Sequence, residues 1–432
     1  MKDARELSLK VLINFNRSNF TIDRILDDEK EDFSLLSLRD IALSKNLIYG
    51  VLRWQGKLDW IISVFSKTPL NKIDTEILSI LRLGVYQITE LDKIPVSAAV
   101  NTSVEMAKDF KKGRLKGFVN GVLRNISRNK DEIEFPQLEE DPVKYIVVNY
   151  SYPDWLVNRW IDQLGIDKTL EICSKINEIP QITIRPNSIK KESNNLSCIL
   201  KEEVENLNFS EFSKAISFTN PQKSIPELSG FQDGLFQVQD EAAQLVCEFL
   251  DPEPFDSVLD ACAGIGGKTS TIAQFMNNKG DILAVDNVKF KLDILNNEMH
   301  RLGISIVKTE IADLSKNNIT KKFDKILIDA PCSGLGVLKR NPDAKWKLQP
   351  EFLENIRETQ KEIIDSYSRM VKPGGQMVYA TCSILPSENE NQVKAFLKRE
   401  EGKDFKFIKD EKVLPSKSGF DGFYMALLQK DN

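Results

Sequence analysis

Two cysteines of this 432-residue chain each follow a hydrophobic, strand-like run. Cys332 stands in Asp329-Ala330-Pro331-Cys332-Ser333-Gly334, fed by Lys325-Ile326-Leu327-Ile328. Cys382 stands in Ala380-Thr381-Cys382-Ser383, fed by Gln376-Met377-Val378-Tyr379. Thiols in such settings suggest thiolate chemistry rather than a structural bridge. If both strands lie in one parallel sheet, both thiols emerge at its carboxyl edge, where open α/β sheets bind ligands. One thiol could then attack a substrate while the other assists.

The elements that must position them are legible as a change of pattern. From about Phe236 the chain alternates between strand candidates at 257–260, 282–286, 304–307, 325–329 and 376–379 and helical segments around 269–275, 289–301 and 352–370. That alternation implies a parallel, doubly wound sheet. Up to about residue 130, apolar residues instead recur at helical spacing, as in Ile77-Ile80-Leu81-Val85, and glycine and proline mark only junctions such as Gly84 and Pro95. A helical bundle is expected there. A charged, proline-containing stretch at 129–142 reads as a linker. Beyond it, an amphipathic helix through Trp155, Leu156, Trp160, Ile161 and Leu164 and a strand at 181–185 suggest a small mixed α/β domain. The expected division is 1–135, 136–235 and 236–432.

Composition narrows the chemistry. Hydrophobic content of 41% and charged content of 28% describe an ordinary globular chain. No apolar run is long enough to span a bilayer, and the first residues lack the apolar core of a secretory signal. The six cysteines are dispersed, without zinc-type pairs or a disulfide framework, so a reducing cytoplasm and no metal are expected. Cys173, Cys198 and Cys247 have no suggestive neighbours and read as core residues. With His300 as the one histidine, a Ser-His-Asp triad or a histidine-rich metal site is hard to build. Net charge is −5, yet Lys108, Lys111, Lys112, Arg114, Lys116, Arg124, Arg128 and Lys130 make one stretch locally basic. By itself this reads as a solvated face; it becomes a phosphate-binding candidate if the chain acts on RNA.

A glycine-rich turn, Asp260-Ala261-Cys262-Ala263-Gly264-Ile265-Gly266-Gly267-Lys268-Thr269, follows the first strand and opens a helix. A P-loop would need glycine where Cys262 stands, and a dinucleotide fingerprint from Gly264 would need a small closing residue where Thr269 stands. The third reading is the first loop of an S-adenosylmethionine methyltransferase. Asp286 closes the second strand, where an acid can accept both ribose hydroxyls. That excludes a phosphate-centred site and leaves NAD and S-adenosylmethionine open. Asp313 could bond the adenine amino group or serve as a helix cap or turn residue.

Together, the turn, Asp329-Ala330-Pro331-Cys332-Ser333-Gly334 and Tyr379-Ala380-Thr381-Cys382-Ser383, in this order, resemble the bacterial RNA cytosine-C5 methyltransferases of the RsmB (Sun/Fmu) family. Pro386-Ser387-Glu388-Asn389-Glu390 continues the last motif, and Asp421-Gly422-Phe423-Tyr424 is similar to the family's closing strand. Residues 116–124 resemble the end of a NusB-like RNA-binding helical domain, and 151–155 and 238–242 resemble the middle region and the entry to the catalytic domain. The likeness therefore extends over nearly the whole chain.

The resemblance implies three parts: an all-α NusB-like domain, a small mixed α/β middle domain and a Rossmann-like methyltransferase domain. It implies S-adenosylmethionine as cofactor, held by Cys262, Ala263, Gly264, Ile265, Gly266, Gly267, Lys268, Asp286, Asp313 and Asp329. In DNA enzymes the Pro-Cys cysteine is the nucleophile; in this RNA family the Thr-Cys cysteine attacks, which nominates Cys382. Cys332 then assists release, and Asp329 bonds the cytosine edge or sits near the transferred methyl group. The implied substrate is small-subunit ribosomal RNA and the implied state a monomer. Transfer RNA or large-subunit RNA as substrate, or a non-catalytic RNA-binding factor, are the alternatives. Two departures stand out: Gly264-Ile265 replaces the family's usual Ala-Pro, and Asn341 stands where a histidine is frequent.

Overall fold

The computed structural model describes residues 3–109, 113–210, 213–312, 321–415 and 419–432. The chain divides into two compact units, Met1–Asn177 with Arg340–Leu348, and Glu178–Lys339 with Gln349–Asn432.

The first unit is helical: α1 (Ala4–Arg17), α2 (Ile22–Asp28), α3 (Lys30–Ser34), α4 (Leu38–Phe65), α5 (Thr75–Thr89), α6 (Val96–Met106), α7 (Lys116–Asn129), α8 (Pro142–Asn149), α9 (Asp154–Leu164) and α10 (Ile166–Ile176). Asp3 starts α1 through a capping box with Glu6, satisfying amides that a helix start leaves unpaired. Its stripe Leu7, Val11, Leu12 and Phe15 is buried. These residues join Leu47, Val51, Ile80, Leu81, Val119 and Leu123 of α4, α5 and α7 in one core. The expectation of a helical bundle holds.

The second unit contains two sheets. In the smaller, β1 (Ile182–Pro186), β2 (Glu205–Phe209), β3 (Ile216–Thr219) and β4 (Phe236–Val238) pair antiparallel in the order β2-β3-β1-β4, with α11 (Leu196–Leu200) between β1 and β2 in sequence. After α12 (Glu241–Leu250) comes the expected alternation: β5 (Ser257–Asp260), α13 (Gly267–Phe275), β6 (Asp281–Asp286), α14 (Lys289–Leu302), β7 (Val307–Ile311) and β8 (Phe323–Asp329). A short helix that belongs to the first unit, α15 (Ala344–Lys347), precedes α16 (Pro350–Ser368), β9 (Val371–Thr381), α17 (Glu390–Phe396), β10 (Phe405–Val413) and β11 (Phe423–Lys430). The larger sheet runs β10-β11-β9-β8-β5-β6-β7, parallel from β9 to β7 and antiparallel at β11 and β10.

One strand is displaced from its expected place at 304–307. Gly303 is left-handed (φ 74°), and the Ile304 amide bonds back to the Met299 carbonyl at 2.8 Å. Residues 304–306 therefore complete the exit from α14, and the strand starts at Val307.

The segment Arg340–Leu348 leaves its sequence neighbours and belongs to the helical unit. Asp343 accepts from the Ile22 amide at 3.0 Å, Trp346 Nε1 donates to the Leu52 carbonyl at 2.6 Å, and Lys345 Nζ donates to the Arg53 carbonyl at 2.8 Å. Lys345 is 1% exposed, with its ammonium 4.2 Å from the Tyr152 ring centroid. Burial, then the Arg53 guanidinium, pushes its pKa well below 10.5. The folded state thus binds fewer protons than the unfolded chain, and stability rises as pH climbs toward 10.5. In thermal unfolding, Lys345→Met is expected to be at least as stable as wild type at neutral pH, its advantage shrinking as pH is raised toward 10.5.

Candidate active site

The register between β8 and β9 builds the site. Asp329 pairs level with Ala380, so Cys332 and Cys382 leave the same carboxyl edge a few residues later. The Ala330 amide bonds the Ala380 carbonyl at 2.8 Å and the Gly336 amide bonds the Cys382 carbonyl at 2.9 Å, holding the two loops together beyond the strands. The two Sγ atoms stand 3.1 Å apart, both thiols free. Cys332 is held as a thiol: its hydrogen bond to Cys382, then burial, then the charge of Glu388 raise its pKa well above the ordinary value.

Lys268 reaches this edge from the first turn of α13, with Nζ 2.6 Å from Asp329 Oδ2 and 5.0 Å from the Phe423 ring centroid. Burial opposes its charge, but the Asp329 carboxylate outweighs burial and holds the ammonium protonated, with Cys382 adding in the same sense. A largely buried cation, 13% exposed, thus sits paired with Asp329 at this edge.

The glycine turn lies between β5 and α13. Gly264 and Gly266 adopt φ of 55° and 90°, and a Cβ on Gly266 would come 2.6 Å from Leu295 Cγ, so the close approach of α14 requires glycine there. The Gly264 amide donates to Asp286 Oδ2 at 3.0 Å and the Val288 amide to Oδ1 at 2.9 Å. Cys262 packs partly buried against the core; burial, then Asp329, raises its pKa well above normal, which marks it as an unreactive thiol. Ala263 is buried and Ile265 exposed.

The structure thus brings Cys332 to Cys382, Lys268 to Asp329 and Gly264 to Asp286. Asp313 lies outside the described residues. Cys173 and Cys247 are buried as expected, but Cys198 is exposed. Leu196 and Leu200 bury one face of α11, and a residue midway between them points the other way. His300 is exposed in the last turn of α14. Sequence reasoning assigned no role to Glu388, which is fully buried and bonded to Ser333 and Ser383. The available signal was a serine after each cysteine and an acid six residues beyond Cys382.

Comparison with known proteins bears on what this geometry serves. Residues 247–429 match the family model "16S rRNA methyltransferase RsmB/F", 2–128 the NusB family, and 152–223 the ferredoxin-like domain of RsmF/B-like methyltransferases. The chain is 32% identical to the probable ribosomal RNA small subunit methyltransferase B of Synechocystis sp., with all of both chains covered. It is 33% identical to that of Bacillus subtilis, over 99% of this chain and 98% of the relative. The chain belongs to the ribosomal RNA small subunit methyltransferase B family. Among solved structures, PH0851 matches with a TM-score of 0.80 at 26% identity, covering 98% of each chain. A methyltransferase homolog protein from Pyrococcus horikoshii shares the fold, with a TM-score of 0.59 at 24% identity over 67% of this chain and 99% of that one.

The family's cofactor is S-adenosylmethionine, and the residues present fit it. A Cβ on Gly264 would meet no atom within 4 Å, so the turn borders open space that a ligand can enter. Each Asp286 oxygen takes one backbone amide and keeps a lone pair for a ribose hydroxyl. Among the described residues, no group of His, Cys, Asp and Glu could hold a metal ion, and no helix is long and apolar enough to cross a membrane.

Asp260, at the end of β5, anchors the turn by accepting from Thr269 Oγ1 at 2.6 Å. Burial pushes its carboxyl up from 3.8 to about 6, against the opposing pull of that hydroxyl. The folded state therefore holds the proton more tightly than the unfolded chain. Its contribution to stability is full below 3.8, falls as pH rises to about 6 and is constant above. Relative to Asp260→Asn, wild type is expected to lose up to ~3 kcal/mol across that window, measured by denaturant unfolding at a series of pH values.

Proposed function

We propose that this chain transfers a methyl group from S-adenosylmethionine to C5 of a cytosine in 16S ribosomal RNA through a covalent Cys382 adduct. Ribosomal RNA as substrate follows from family membership. The cytosine-C5 reading rests on one observation above all, the two thiols 3.1 Å apart at one sheet edge. Base methylation by direct displacement needs no such pair. Cytosine C5 is a poor nucleophile until a thiolate adds at C6, which removes the aromaticity and makes C5 enamine-like.

In this reading the Cys382 sulfur bonds C6 and the C5–C6 electron pair shifts to C5. When bound, the cofactor supplies an electrophilic methyl group. Loss of the C5 proton then restores the double bond and expels the Cys382 thiolate. Cys332 assists that release; its thiol, raised in pKa chiefly by the hydrogen bond to Cys382, is poorly suited to attack but is the sulfur nearest the leaving one. Lys268 stabilises negative charge on Cys382 and fixes Asp329, which bonds the cytosine edge or lies near the methyl group. Gly264, Gly266 and Gly267 admit the cofactor, and Asp286 holds its ribose.

RNA is gripped by the parts at 1–135 and 136–235, in the cytoplasm. A cavity of about 360 Å³ lined by Asn101, Lys108, Lys116, Asn120 and Arg124 supports phosphate contact on α6, the turn that follows it and α7, with Lys108 also paired to Glu105. Lys111 and Lys112 lie outside the described residues.

Bisulfite sequencing of ribosomal RNA from cells with and without the gene tests the substrate: a cytosine should lose its protection, and an unchanged profile would overturn the reading. Cys382→Ser should abolish transfer, whereas Cys332→Ala should accumulate a protein–RNA adduct visible on a denaturing gel; the reverse pattern exchanges the roles. RNA affinity should fall with salt, and Lys116→Ala with Arg124→Ala should flatten the log–log slope by about two.

A further inference from the structure

Each reactive cysteine is followed by a serine, and one buried carboxylate binds both serines. Glu388 is 0% exposed. Its Oε2 accepts from the Ser333 amide at 2.8 Å and Gln360 Nε2 at 3.2 Å, and its Oε1 from Ser333 Oγ at 2.5 Å and Ser383 Oγ at 2.6 Å. The two hydroxyls lie 3.2 Å from each other. The backbone around Glu388 is tied down as well. Tyr379 OH donates to the Glu388 carbonyl at 2.8 Å, and Asn389 accepts from Thr381 Oγ1 at 2.5 Å and donates to the Ser383 carbonyl at 2.9 Å.

Among the described residues, the partners of this carboxylate are an amide, two hydroxyls and a carboxamide, with no cation among them. Burying an ion costs several kcal/mol even after relaxation, and an apolar side chain would fill the space without that cost. What an apolar residue could not do is accept several donors at once. An ionised carboxylate is acceptor-only on both oxygens, so it can join the donors of two separate loops into one rigid unit.

We propose that Glu388 is a positioning residue that sets the spacing and direction of the two sulfurs by gripping the serine after each cysteine. The proposal rests on the reading in which both thiols take part in methyl transfer. Glu388 touches neither base nor cofactor in this role; it acts through Ser333 and Ser383.

The test uses the full-length protein and a readout independent of RNA. Diamide takes two electrons and two protons from a thiol pair, leaving a disulfide and a hydrazine, so its rate of joining Cys332 to Cys382 reports the geometry of the sulfurs. Peptide mass spectrometry follows the bond. Glu388→Gln replaces an acceptor oxygen by a donor and should slow disulfide formation several-fold. In transfer assays it should lower kcat by about 10²-fold, the scale of a ~1 Å misplacement, with KM for RNA within about twofold of wild type. Ser333→Ala and Ser383→Ala each remove one hydroxyl and should show smaller losses of the same kind, less than additive with Glu388→Gln. Should Glu388→Gln fail to fold, the two serine variants decide the matter. Folded variants that form the disulfide at the wild-type rate would overturn the proposal. Slowed disulfide formation in the variants, with no methyl transfer by wild type, would uphold the positioning role and overturn the functional reading instead.

Discussion

In the parallel ladder between β8 and β9, Asp329 lies level with Ala380, and the distances at the two sulfurs inherit that register. A parallel pair offers few ways to bring two side chains from different strands together at one end. A slip of one residue would turn every side chain of one strand to the opposite face, and a slip of two would carry one sulfur about 6–7 Å along the sheet. Both faces of this region are covered, with Leu327 and Val378 in one apolar cluster and Ile328 and Tyr379 in another. Hydrophobic burial on two faces therefore holds the register, and the loop bonds from Ala330 and Gly336 extend it to the cysteines.

Desolvation does the rest of the work at this edge, with a different outcome for each group. Lys268 keeps its charge because Asp329 is 2.6 Å away. Cys332 keeps its proton because its neighbours, Cys382 and Glu388, disfavour a second negative charge. Asp260 is fully buried, and that burial displaces its carboxyl upward against the pull of the Thr269 hydroxyl. A single low-dielectric pocket thus holds a cation, an anion and a neutral thiol within one cluster.

Much of this was legible because it is local. Strand runs ending in Asp329-Ala330-Pro331-Cys332 and Ala380-Thr381-Cys382, and a glycine turn opening α13, are short patterns whose geometry follows from their own residues. The helical front end follows equally from period. What could not be read depends on distant partners. Ser333 and Glu388 are 55 residues apart and meet only once β8 and β9 pair. Nothing local to Lys345 and Trp346 shows that their side chains bond to the Arg53 and Leu52 carbonyls, 292 and 294 residues earlier. Cys198 looked like a core residue because a lone cysteine usually is, and only the face taken by Leu196 and Leu200 shows otherwise.

The small antiparallel sheet acquires a mechanical role from the same reasoning. Arg185 of β1 is 5% exposed and donates to Gln239 at 2.7 Å, Gln237 at 2.9 Å and Ser270 at 2.7 Å. Thr271 donates to the same Gln239 oxygen at 2.9 Å. Burial lowers the guanidinium pKa only to about 10, so the group is charged at neutral pH and draws on neutral oxygens alone. Those oxygens belong to β4 and its exit, and the hydroxyls to α13, the helix whose first turn carries Lys268. The run Val238-Gln239-Asp240-Glu241-Ala242 is thus the place where the small sheet grips the cofactor-loop helix. A change in β1 would reach the ammonium paired with Asp329 through two hydrogen bonds and one turn of helix, without any contact with substrate.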